Sequence, residues 1–126
     1  MARHELVQRD ARACVCAIRV GAKHVRIRGE LVTAFDEDWL LLLTPIVDEQ
    51  RALLRDALAF NMELAIGALA IDQGWLMLRA THVLALLDDR LIDRHLDFVA
   101  REALRLRSIL TLDTAPVDHV FAHACE

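Results

Sequence analysis

The apolar positions of this chain change period repeatedly, and the changes divide it into elements. Val7, Ala11, Cys14 and Ile18 recur at spacings of four, three and four. That is the stripe of an amphipathic helix, predicted over 3–20, with Arg9, Arg12 and Arg19 at wetter positions and Gly21 as its stop. After Gly21 the period becomes two. Val25 and Ile27 alternate with Arg26 and Arg28, the pattern of a strand with one wet face. Gly29-Glu30 reads either as a bulge or as a turn, Leu31 to Phe35 continues extended, and Asp36-Glu37-Asp38 is a turn. From Trp39, "WLLLLTPI" has no polar alternation, so the strand it forms is buried on both faces or lies at an interface.

From Asp48 the helical period returns. Leu54, Leu58, Met62 and Ala65 fall on one side and Leu53, Ala57, Phe60 and Leu64 on another, which predicts a second helix ending at Gly67 and covered on more than one side. "ALAIDQGWLMLRA" at 68–80 is a hairpin, with Gly74 supplying the positive φ of its turn. The stretch 81–87 reads as a third edge strand or as a loop. Asp88 or Asp89 caps the closing helix, whose seam is Ile92, Leu96, Val99, Ala103, Leu106 and Leu110. After Thr111 comes a tail interrupted by Pro116. The predicted order is α-β-β-(β)-α-β-β-(β)-α: one small α+β domain over 1–110, its twisted antiparallel sheet packed with helices, and a tail over 111–126.

Composition adds one strong constraint. Hydrophobic residues make up 56% of the 126 and mean hydropathy is +0.30. So small a domain has too little interior to hide all of this, and the surplus points to a subunit interface or a partner groove. "WLLLLTPIV" falls far short of the roughly 20 residues that span a bilayer. The N-terminus is charged, without the apolar core of a signal peptide, so a cytoplasmic protein is expected. A formal charge of −4 excludes the usual basic nucleic-acid binder. Three cysteines cannot all pair within the chain and are read as reduced.

Little here is reactive. His119 and His123 form an H-x-x-x-H pair with the spacing of two metal ligands on a helix, but they sit in the tail, and a solvated segment is the simpler reading. Cys14 and Cys16 lack a metal or redox spacing and, on a helix, would diverge. His24 and His82 look isolated, and His95 and Asp97 lie off the helical seam on a wet face. Ser108, the only serine, has no nucleophile elbow around it. The four glycines mark element boundaries, and the acidic clusters sit at turns and caps. No catalytic residue, metal or cofactor is predicted.

The segment from Leu53 to Leu110 resembles the second half of the class I type III secretion chaperones, small acidic proteins that escort effectors in the cytoplasm of Gram-negative bacteria. Leu53, Leu54, Leu58 and Asn61 match the family's helix ending near an Asn. Leu69, Ile71, Asp72, Gly74, Leu76 and Leu78 match its hairpin, and Leu91, Leu96, Phe98, Val99, Ala103 and Leu106 its long closing helix. The likeness covers 39–110. It implies a homodimer without a catalytic site, around which an effector's N-terminal segment wraps in extended form, filling apolar grooves and adding a strand to a sheet edge. Candidates for the client groove are Val7, Ala11, Cys14, Ile18, Val25 and Ile27, a set that reads equally as ordinary core. Candidates for the dimer interface are Leu54, Leu58, Met62, Trp75 and Met77, which alternatively pack beneath the closing helix. The other readings are a dimeric α+β ligand-binding or regulatory module without catalysis, which needs a concave polar pocket, and a metal enzyme built on the terminal His pair.

Overall fold

The computed structural model describes residues 4–9, by their backbone alone, and 12–110. A six-stranded antiparallel sheet has the order β1-β2-β3-β4-β6-β5, with β1 at His4–Arg9, β2 at Ala13–Val20, β3 at Lys23–Ala34, β4 at Glu37–Asp48, β5 at Ala68–Asp72 and β6 at Trp75–Val83. A short helix, α1 (Leu54–Phe60), separates β4 from β5, and a long one, α2 (Asp89–Leu110), lies across β4 and reaches β2, β3 and β6. The α+β class stands, but the predicted first helix is a strand pair.

The reason lies in β2. Its side chains Val15 and Ile18 are both buried, yet on opposite faces of the sheet. Val15 meets Met77 and Leu43, whereas Ile18 lies under α2. A strand buried on both faces need not alternate, and here its apolar positions fell by coincidence at helical spacing. The β-branched Val15, Ile18 and Val20 favour the extended backbone. Gly21 does not stop a helix; with φ +61 it opens the two-residue turn that joins β2 to β3. Gly29 neither bulges nor turns β3, which passes through it in regular register with Cys14 on one side and Leu42 on the other.

The next turn comes one residue earlier than predicted. Phe35 (φ 54) and Asp36 (φ 60) are its two central residues, and β4 begins at Glu37. As expected, β4 is buried on both faces, and it carries a proline in a central position. Pro45 has no N–H to give, and the ladder with β6 shifts register between Pro45 and Val47. Its carbonyl accepts two bonds from Arg107 of α2, from Nε at 3.1 Å and Nη2 at 2.8 Å. Beyond Leu43 the pairing of β4 with β3 stops, and the buried Thr44 hydroxyl donates to the Arg26 carbonyl at 2.9 Å. Side chains thus replace ladder bonds where the sheet opens.

The second helix is shorter than its apolar pattern. Asp48 caps a 3-10 turn over Glu49–Arg51, α1 spans only seven residues, and the chain leaves helical geometry after Asn61. The hairpin of β5 and β6 turns at Gln73 (φ 52) and Gly74 (φ 82), as predicted, and 81–83 extends β6. Asp88 accepts from the Leu91 N–H at 2.8 Å and caps α2. Leu96, Val99, Ala103, Leu106 and Leu110 of the predicted seam are buried, with Ala100 beside them. Full burial of each leucine or valine contributes about 1.5–3 kcal/mol, so α2 closes the core. Residues 111–126, with both tail histidines, lie outside the described residues.

Candidate functional site

Helix α1 puts its smallest apolar side chain inward. Ala57 is buried, while Leu58 is 71% and Met62, just beyond the helix, 89% exposed. Leu54 continues the same stripe one turn earlier. What holds α1 in place lies at its ends. The Leu53 N–H donates to the Leu110 carbonyl at 3.0 Å, and Arg105, ion-paired with Glu102, sits over the Phe60 ring at 5.8 Å. The helix is anchored without using its apolar outer face.

Beside it runs β5, an edge strand paired only with β6 among the described residues. The connection from α1 passes so close to β6 that only glycine fits at 67. A Cβ there would collide with the Arg79 carbonyl oxygen, and φ is +72. Asn61 then reaches the strand. Its Nδ2 donates to the Leu69 carbonyl at 3.2 Å and its Oδ1 accepts from the Leu69 N–H at 2.6 Å. Two residues on, Ile71 is 50% exposed. Leu54, Leu58, Met62 and Ile71 are four large apolar side chains left wholly or partly exposed among the described residues, on two consecutive elements.

A second apolar surface lies at the β3–β4 hairpin. Pairing of β2 with β3 ends at Ala13 opposite Glu30, followed by mutual bonds between Arg12 and Leu31. Beyond them no strand flanks β3 on that side among the described residues, and Val32 to Ala34 pair only with β4. A cleft of about 560 Å³ opens there, lined by Arg12, Ala13, Arg28, Glu30, Leu31, Val32 and Thr33. Phe35 stands at the tip, 92% exposed in a left-handed conformation that costs an L-residue about 1–2 kcal/mol.

The residues read from sequence divide between these surfaces and the interior. Leu54, Leu58 and Met62 share the exposed stripe. Trp75 is half-buried, and Met77 is buried in the cluster with Val15, so neither belongs to it. Ile18, Val25 and Ile27 come together, Ile18 opposite Val25, but in the core under α2. Cys14 is half-buried over Gly29, Val7 lies on β1 at a register shift, and Ala11 is outside the described residues. Cys14 and Cys16 share one strand face instead of diverging. Burial first, then the neighbouring Cys14 thiol and its hydrogen bond, push the Cys16 thiol up to about 11, far from a reactive thiolate.

His82, which looks isolated in the sequence, and His95, read there as part of a wet helix face, are stacked on one another, with His95 Nδ1 buried. Nothing in their spacing signals it, because a strand and a helix bring them together. The open end of β3, Phe35 and Ile71 were also missed as surface features. Among the described residues no three His, Cys, Asp or Glu side chains group as a metal site, and no helix is long and apolar enough to cross a membrane.

The model of the Tir chaperone protein (CesT) family matches residues 9–107. A search of curated proteins finds no match. The chain belongs to this family, which comprises class I type III secretion chaperones.

Proposed function

We propose that this member of the Tir chaperone family acts as a cytoplasmic homodimer that keeps the N-terminal segment of a secreted effector extended and competent for secretion. The observation that carries the reading is the uncovered apolar stripe Leu54, Leu58, Met62 and Ile71, beside a sheet edge, in a chain whose long helix already closes its own core. Two copies meeting on that stripe would each remove it from water, at about 1.5–3 kcal/mol per large side chain fully buried. The client has a different place. The unflanked stretch of β3 from Val32 to Ala34 offers backbone donors and acceptors to an added strand, and Leu31, Val32 and Phe35 offer apolar contact. The working unit is the domain 1–110.

Co-expression with candidate N-terminal effector segments, followed by light scattering on the purified complex, tests both halves. A complex of two chains with one protease-protected segment supports the reading. A dimer that captures none of the segments removes the client role, and a monomer removes the interface.

A further inference from the structure

The strongest unassigned feature lies away from both surfaces, where the start of α2 rests on the end of β6. His82 and His95 stack with ring centroids 3.8 Å apart and planes 26° from parallel. His82 Nε2 and His95 Nδ1 are buried without a hydrogen-bond partner. The two rings border a cleft of about 450 Å³, together with Gly67, Arg79, Thr81 and Phe98. Near-parallel rings direct their in-plane lone pairs side by side and not toward one point, so the arrangement does not chelate an ion. It is an arrangement for neutral rings.

We propose that the His82–His95 stack is a proton-operated latch, holding the first turns of α2 on the sheet while both rings are neutral and releasing them in mild acid. A neutral imidazole can leave one nitrogen bare, whereas an imidazolium needs an acceptor for both N–H groups. Here the buried nitrogens have none. A second positive ring at this spacing would face the first almost without solvent between them.

Among the described residues, the lining of the cleft offers no compensation. No carboxylate lines the cleft, whose other ionisable group is the cationic Arg79. On α2, Asp97 is held by Arg101 at 2.9 Å, Asp88 caps the helix, and Asp93 lies about 200° around the helix from His95. Arg94 lies over Phe98 at 5.6 Å and adds another positive charge. Leu40 of β4 faces His82 across the ladder, the turn at Leu84–Leu86 is apolar, and Glu63, before the cleft's Ala65 to Ala68, acts on Arg105. Consistent with this, burial first and then His95 lower the pKa of His82 below its ordinary 6.5. Because the folded value of His82 lies below the unfolded one, its neutral ring supports the fold above about pH 6.5 and withdraws that support as pH falls.

Titrating the ring Cε1–H signals of the full chain by NMR tests this without a variant. The His82 midpoint should lie below that of the urea-unfolded chain. A midpoint equal to the unfolded one overturns the proposal. Hydrogen exchange, corrected for intrinsic rate, locates the release. Between about pH 7.5 and about pH 5.5, protection over 89–96 should fall several-fold more than over 99–110. A uniform fall overturns the latch. His95→Phe keeps a stacked ring without the second charge and should diminish the selective fall, leaving the part that burial of His82 supplies; an undiminished fall in a folded His95→Phe chain excludes the pair as its cause.

Discussion

Helices α1 and α2 pack on the same core with nearly the same apolar alphabet, and they end opposite in exposure. Over its 22 residues α2 turns a continuous leucine and valine seam inward. Over its seven, α1 buries one alanine and turns its leucines outward. A seam of six turns crosses several strands and can be covered by the chain itself. A two-turn helix tied at its ends has no such cover among the described residues, and its large side chains stay exposed. High hydropathy therefore has two destinations in this protein, and exposure, not composition, tells them apart.

That contrast can be broken in graded ways. Leu106→Ala empties a fully buried site of α2 and should cost about 2–5 kcal/mol, seen as a large fall in Tm. Arg107→Ala strips the Pro45 carbonyl of both its donors and should cost about 1–3 kcal/mol in urea unfolding, with an unchanged slope. Asn61→Ala should cost about 1–2 kcal/mol by the same measurement and add concentration-dependent association through the uncovered β5 edge. Leu58→Asp should change protomer stability by less than about 0.5 kcal/mol, yet yield monomers in sedimentation. A Leu58→Asp chain that stays dimeric would take the α1 stripe out of the interface. The mildest perturbation is acid. Stability should decline as pH falls below about 6.5 through the depressed His82 titration, and the decline should be weaker in His82→Phe.

Where turn chemistry and period agreed, the sequence could be read directly. The hairpin of β5 and β6 and the seam of α2 lie between recognisable stops, and β4 shows as an unbroken apolar run too short for a buried helix. The first helix failed because Val15 and Ile18 pack on opposite faces of β2, and two-sided burial leaves no alternation to detect. The same error made Ile18 a groove candidate, although the sheet places it in the core with Val25 and Ile27. The outer stripe of α1 was legible because its spacing survives a shorter helix. Phe35 at its turn, the open end of β3 and the His82–His95 stack were not, since each depends on where one strand stops or which helix lies above it.

The Asn61 amide has the same donor and acceptor pair as a peptide bond. By engaging both backbone groups of Leu69, it gives the edge of β5 a neighbouring strand one peptide unit long. A second chain arriving there must evict this placeholder and exchange hydrogen bonds one for one, gaining none at that position. Joining the edge thus becomes a substitution, favourable only for a partner that also fills the apolar stripe beside it, and a stray extended chain has little to win.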